Sequence, residues 1–322
     1  MSLNRFINEL KSELKVCYFS LFDNCNVKCN MCDCWVRPKT SLRPNHYQDA
    51  LNRVLSVQPA MIRFTGGEPM LLSSLPELVA QANLAGVETS VITNGRIAQH
   101  KITALREAGL DLLVVSLDGL GNTHDLIRGV RGLERKVSQT LTECARTETP
   151  FAINTVVQKI NGSGLVELAK YLANKLEVKP IYWHLIPVRG EPDLIPSGVK
   201  YAEALEALQE AISIATDAGI HCIYDYEFSF DQENSVSCTV SQQTMYIRAD
   251  SGNCYGCNML AYATEPIGNI FEQSMEEIWL SSRRLKLIDS TCNAQELGCT
   301  RCDAGSREMN HWLAQTKDIR KM

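Results

Sequence analysis

From residue 16 to residue 190, short runs rich in β-branched or aromatic residues alternate with longer amphipathic stretches, and this alternation restricts the fold more than any other feature. A period-2 pattern that repeatedly gives way to a period-3.6 pattern marks consecutive βα units, whose strands pair in parallel. The strands expected are 16–22, 61–64, 87–92, 111–117, 150–157 and 181–186. Each pair encloses room for a helix. The stretch 72–85 ends at Gly86 and 97–108 ends at Gly109, and a glycine just past the last periodic residue closes a helix. Six such units curl toward a partial (β/α)6 barrel of the α/β class, with functional groups on the loops after the strand C-termini. The Pro- and Gly-rich stretch 189–198 reads as a loop, and 199–218 as a long amphipathic helix that closes the first domain. The expected division is 1–220 for the barrel, 221–234 as a connecting segment and 235–322 as a small C-terminal α+β domain. That last part holds a hairpin-like region at 244–256 and a helix starting near Ser274, where Ser274 and Glu277 form a capping box.

The 322 residues carry 32 Lys and Arg against 37 Asp and Glu, a net charge of −5. Nucleic acid and anionic membrane surfaces call for a concentrated basic face, so neither is an expected partner. No apolar run is long enough to span a bilayer, and the start MSLNRFINELKSELK lacks the apolar centre of a signal peptide, so a cytoplasmic location is expected.

Thirteen cysteines are unusual in such a chain. Their odd number, the chain length and the missing export signal argue against a disulfide framework. Chance would supply roughly half of one i, i+3 cysteine pair, the spacing used by metal sites. Three pairs occur, Cys29/Cys32, Cys254/Cys257 and Cys299/Cys302, and Cys25 extends the first to an i, i+4, i+7 triple. Three thiolates on one tight loop suit a four-iron four-sulfur cluster with one iron left open to an outside ligand. A structural zinc or closed cluster, which normally takes four ligands, is the alternative that spacing leaves open.

The motif CNVKCNMC follows the first strand, GGEP (Gly66–Pro69) the second, TNG (Thr93–Gly95) the third and SLDG (Ser116–Gly119) the fourth, with HDLIRG at His124–Gly129. In this order and at these loop positions the chain resembles the radical S-adenosylmethionine (SAM) superfamily. One departure is Met31, where the family usually has an aromatic residue; no ligand is lost by it. The resemblance implies that Cys25, Cys29 and Cys32 hold a catalytic 4Fe-4S cluster and that SAM binds its open iron through amino and carboxylate groups. Gly66, Gly67, Glu68, Pro69, Asn94, Ser116, Asp118 and Arg128 are the implied cofactor-binding residues. Glycines allow close backbone approach to the ammonium, Glu68 offers acceptors, and Arg128 matches a carboxylate.

The C-terminal pattern, with Cys238, Gly252, Cys257, IGNI at 267–270, EEIW and Cys299-x-x-Cys302, resembles the auxiliary-cluster extension called SPASM or its shortened form, twitch. It implies one auxiliary 4Fe-4S cluster on Cys238, Cys257, Cys299 and Cys302, with Cys254 as rival to Cys257 and Cys292 as spare. A zinc knuckle is the competing reading. Cys17, Cys34, Cys144 and Cys222 read as buried small hydrophobes. His184 and Trp183, ending the sixth strand, are candidates to face the barrel mouth. In the alternating stretch 222–230, Asp225 is a candidate proton acceptor, and Cys222 and Cys254 are candidate hydrogen donors.

The reaction implied is reductive cleavage of SAM, hydrogen abstraction by the resulting 5′-deoxyadenosyl radical, and oxidation of the substrate by dehydrogenation or decarboxylation with help from the auxiliary cluster. Electrons would come from a donor such as flavodoxin or ferredoxin. Peptide-modifying members often carry a recognition domain before the barrel, whereas 24 residues precede Cys25 here, which favours a small sugar- or nucleoside-like substrate from an antibiotic pathway. A ribosomal-peptide maturase and a sugar epimerase are the alternatives.

Overall fold

The computed structural model describes residues 14–38, 44–188, 192–224, 240–258, 260–262 and 264–292. The βα series runs β1 (Val16–Ser20), α1 (Pro44–Leu55), β2 (Met61–Thr65), α2 (Leu75–Leu84), β3 (Glu88–Thr93), α3 (Gln99–Glu107), β4 (Leu112–Ser116), α4 (Asn122–Arg128), α5 (Leu133–Arg146), β5 (Phe151–Val157), α6 (Leu165–Asn174), β6 (Tyr182–Pro187), α7 (Val199–Asp217) and β7 (His221–Ile223). The C-terminal part adds α8 (Val240–Gln243), β8 (Thr244–Arg248), β9 (Asn253–Tyr255), β10 (Gly268–Asn269), α9 (Met275–Trp279) and α10 (Ser282–Cys292). All ten strands form one sheet in the order β10-β9-β8-β1-β2-β3-β4-β5-β6-β7. The six expected strands fall within two residues of their anticipated bounds. The helix expected over 72–85 begins only at Leu75, because Pro69–Leu71 forms a separate 3-10 turn first.

The expected hairpin exists, as β8 and β9 pair antiparallel through Tyr246↔Tyr255 and Ile247↔Cys254. It does not stand apart from the barrel. β8 lies parallel to β1, with Cys17↔Met245 and Phe19↔Ile247, so the C-terminal region prolongs the sheet past its first strand. The capping box at Ser274 is present on both sides, with the Ser274 hydroxyl accepting from the Glu277 N–H and the Glu277 carboxylate accepting from the Ser274 N–H.

Side chains alternate across the sheet. Register carries one face through Cys17, Ile62, Phe64, Val91, Leu113, Ile153 and Trp183. This face is buried under Leu51, Leu78, Ile102, Val137 and Leu168 of the helices in a single core. The opposite face carries Tyr18, Arg63, Ser90, Val114, Asn154, Tyr182 and His184. Arg63 on β2 interacts with Tyr182 on β6. Four strand spacings separate β2 from β6, roughly 19 Å in a flat sheet, far beyond the reach of the two side chains. The sheet therefore curves around this second face, leaving it concave and placing the strand-end loops at one rim.

Candidate active site

The loop after β1 carries the three cysteines, and the loop after β2 is laid directly against it. The Gly67 N–H donates to the Phe22 carbonyl at 2.6 Å and the Glu68 N–H to the Asn24 carbonyl at 2.8 Å. Gly66 has φ 127°, and a Cβ on Gly67 would stand 2.1 Å from the Asn24 oxygen, so only glycine permits the approach. The work of these glycines visible in the structure is to seat one loop on the other.

Glu68 is fully buried between loops. Its Oε1 accepts from the Met70 N–H at 3.1 Å and the Thr93 hydroxyl at 2.8 Å, and its Oε2 accepts from the Asn94 N–H at 2.7 Å. Burial raises its pKa to about 7, against the pull of these donors. The carboxylate thus ties the loop after β2 to the loop after β3, while Pro69 starts the 3-10 turn. Asn94 Nδ2 donates to Asn26 Oδ1 at 2.8 Å and faces the Cys25 sulfur at 3.8 Å.

The loop after β4 completes the frame. Asp118 is buried and receives Arg128 Nε at 2.5 Å, Arg128 Nη2 at 3.0 Å and the Val156 N–H at 2.9 Å. Arg128 Nη1 lies 3.8 Å from the Cys29 sulfur. Its fork, expected to hold a ligand carboxylate, is spent on Asp118 and on the cluster loop. The end of α4 pins that loop again: the Lys28 N–H donates to the Arg128 carbonyl, the Asn30 N–H to the Ile127 carbonyl, and a Cβ on Gly129 would meet the Lys28 oxygen at 2.4 Å. His124 accepts from the Asp118 N–H at Nδ1, and burial lowers its pKa to about 4, keeping it neutral. Ser116 is buried at the rim on the concave face.

Burial raises Cys29 to about 11 and raises Cys25 as well; Arg128 opposes the first shift, and the Val27 backbone N–H, with the Asn94 amide behind it, opposes the second. Cys32, hydrogen-bonded to Cys34, drops to about 6. Cys34 is therefore more than a small hydrophobe: its donor atom, that of Asp33 and that of Cys32 lie within 4.8 Å of one another. A three-thiol loop held by N–H donors aimed at two of its sulfurs suits an iron–sulfur cluster, whose ligands are thiolates.

Other expected residues separate by face. His184 lies on the concave face, in register with Asn154 and Ile223. Trp183, its neighbour, points the other way and is fully buried, its Nε1 donating to the Thr155 hydroxyl at 2.8 Å, so it is core and not mouth. Cys222 shares Trp183's register on the helix-side face. Cys254 also faces that side, buried in the core next to Cys17, and burial raises its thiol pKa. Cys257, on the turn after β9, is half-buried. Asp225, Cys238, Cys299 and Cys302 lie outside the described residues, and Cys292 closes α10.

Two features escaped the sequence reading. Arg63, in the middle of β2, projects onto the concave face. A chain of charges also joins the cluster loop to the C-terminal hairpin: Arg248 Nη2 binds Asp23 at 2.9 Å and Asp250 at 2.8 Å, and Arg37 Nη1 stands 3.6 Å from Asp23. Only the mid-strand placement of Arg63, where apolar residues are the norm, hinted at the first; Arg248, the last residue of β8, gave no local signal of the second.

Residues 19–172 match the family model of the Radical SAM superfamily, with a thiol loop on β1 and the GGEP loop seated against it. The chain belongs to that superfamily. Residues 238–303 match the SPASM iron–sulfur cluster-binding domain, so it is a member carrying an auxiliary-cluster domain, with SAM and 4Fe-4S clusters as cofactors. Fe-coproporphyrin III synthase of Methanosarcina barkeri (strain Fusaro / DSM 804) is 24% identical over 62% of this chain and 51% of its own length, so the chain spans about half of that relative. The sporulation killing factor maturation protein SkfB of Bacillus subtilis (strain 168) is 24% identical over 88% of this chain and 68% of its own. The solved structure of native anSMEcpe with bound AdoMet and Cp18Cys peptide shares the fold, with a TM-score of 0.69 at 21% identity, covering 89% of this chain and 85% of that one. No helix among the described residues is long and apolar enough to cross a membrane.

Proposed function

We propose that this radical SAM enzyme holds a small organic substrate on the concave face of the barrel, removes a hydrogen atom from it and oxidises it by dehydrogenation or decarboxylation. The observation that carries this is the convergence of the loops after β2, β3 and β4 on the thiol loop that follows β1, at the rim of a concave face that bears polar groups. When bound, SAM and the first cluster supply a carbon-centred radical that takes hydrogen from an unactivated C–H bond, and the auxiliary cluster supplies an acceptor for the remaining electron. The chain's own part is to fix the loops and exclude water. Glu68 locks the second loop to the third, Arg128 and Asp118 lock the fourth to the first, and Gly67 closes the seam. We assign the auxiliary ligands to Cys238, Cys257, Cys299 and Cys302 from the resemblance, preferring Cys257 to Cys254 because Cys254 is sealed in the core and Cys257 is half-buried on its turn. An electron donor such as flavodoxin or ferredoxin would supply the reducing equivalent.

A sugar- or nucleoside-like substrate follows from the resemblance. A peptide is the second reading, favoured by the match to SkfB over most of the chain. Anaerobically reconstituted protein should bind about eight irons, twice the four of one cluster, and Cys25, Cys29 and Cys32 replaced together by Ala should lose half of them with all SAM cleavage. With dithionite and a panel of aminoglycoside and nucleoside sugars, 5′-deoxyadenosine should form once per oxidised product, carrying deuterium from the labelled substrate. Turnover of peptides alone would select the second reading. A redox-neutral product with solvent deuterium at the abstracted carbon would establish epimerisation instead.

A further inference from the structure

Arg63 is a partly buried cation in the middle of the concave face. Its Nε donates to the Ser90 hydroxyl at 2.9 Å and one Nη lies 3.9 Å from the Met61 sulfur. The Tyr18 ring stands 5.9 Å below the guanidinium, and the phenols of Tyr18 and Tyr182 are its remaining polar neighbours. These groups are a hydroxyl, a thioether and two phenols, and none is a carboxylate. Among the described residues no carboxylate pairs with Arg63, although Arg37, Arg53, Arg128, Arg146 and Arg248 all have one. Glu88, the acidic residue on the same face, pairs in register with Met61 and not with Arg63.

A guanidinium removed from bulk water without an anion loses hydration that neutral acceptors restore only in part. It has donors to spare, and their fork fits a carboxylate. Next to it the concave face is apolar: Val114, Ala152 and Tyr182 form a small cluster of their own, edged by Ile92, Leu112 and Ile223. Nearer the rim the face turns polar again at Ser116, Asn154 and His184, and Asn154 Oδ1 is buried with no hydrogen-bond partner among the described residues. Cation, apolar wall and polar rim occur in that order from the floor of the concave face upward.

We propose that Arg63 anchors the substrate through a carboxylate, with a ring-sized apolar side of the same molecule lying on the Val114–Ala152–Tyr182 wall. This deepens the reading that the concave face holds the substrate, and it rests on that reading. One guanidinium flanked by neutral hydroxyls balances a single negative charge; a phosphate ester or polyphosphate would call for further cations beside it. The class selected is a ring carboxylic acid, such as a sugar acid with one apolar face, rather than a nucleotide.

The test uses the holoenzyme with both clusters and SAM, and benzoate as probe. Benzoate should bind with a millimolar Kd, benzamide and inorganic phosphate at least tenfold more weakly, and Arg63→Gln should weaken benzoate at least tenfold. Phenylglyoxal labelling of wild-type protein, read by peptide mass spectrometry, should reach Arg63 and be blocked by benzoate but not by benzamide, which decides the matter even if the variant does not fold. Benzoate binding that is absent, equal in Arg63→Gln, or matched by phosphate would overturn the assignment, as would labelling that benzoate leaves unchanged. Formation of 5′-deoxyadenosine by the same wild-type sample with dithionite reports separately on radical SAM chemistry, so its failure and the failure of the carboxylate site are told apart.

Discussion

Gly67 shows how a single missing methyl group decides the site. Its hypothetical Cβ would overlap the Asn24 oxygen, a backbone atom of the residue immediately before Cys25, in a loop already fixed by Glu68 and Arg128. Gly67→Ala should therefore destabilise the protein by about 2–3 kcal/mol, in the range of mutations that strain a fixed backbone. Thermal melting should show the drop, and iron content should fall toward that of the auxiliary cluster alone. The two cysteines of the C-terminal pair should differ as sharply. Cys254→Ala leaves a small core cavity and should cost about 1 kcal/mol with full iron content. Cys257→Ala should lose the second cluster while SAM cleavage at the first survives. Equal iron in both variants would remove Cys257 from the ligand set. The thiol triple and GGEP were legible in the sequence because short-range spacing alone brings such groups onto one loop. The partners of Glu68 and Arg128 were not legible: Asn94 lies 26 residues from Glu68 and Cys29 lies 99 from Arg128, and no local pattern encodes those meetings.

At the scale of elements, the decisive contact is the chain of charges from the β8 hairpin to the loop after β1. Asp23 is almost fully buried and pairs with Arg248 and, less closely, with Arg37. Removing one member of a buried pair strands the other, at about 3–5 kcal/mol for a fully buried case and less here because Arg248 is partly exposed. Arg248→Ala should lower stability by about 2 kcal/mol and the iron content of the first cluster with it. The double change Asp23→Asn with Arg248→Ala should recover part of that loss, since neither charge is then left alone. Additive losses in the double-mutant cycle would show that the pair does not couple hairpin and cluster loop. The strands themselves were readable to within two residues because each is an apolar run bounded by turn signals. Their alternation also settles a point that the sequence left open: adjacent residues on a strand face opposite ways, so His184 and Trp183 cannot both reach the mouth.

For the whole molecule, the parallel pairing of β8 with β1 makes the auxiliary region part of the barrel's sheet. We propose the division 1–220 and 235–322 as a functional one, with a shared sheet beneath it. A chain ended at residue 234 would strip β1 of its outer neighbour and expose Val16–Ser20 as a long, apolar parallel edge, a template for aggregation. Such a truncation should express as aggregate or elute well above monomer size. A soluble, cluster-loaded monomer would show instead that the barrel folds without its neighbour.

By itself the sequence determined the βα order, the thiol loop, the glycines and the capping box at Ser274, because each depends on residues within a turn or two of one another. Only the tertiary structure decided that β8 closes onto β1, that Cys254 is core while Cys257 is half-buried, that Arg128 serves Asp118 and Cys29, and that Arg63 stands on a concave face with no carboxylate beside it among the described residues. These are outcomes of register and curvature, in which strands distant along the chain become neighbours and a shift of one residue moves a side chain from one face to the other.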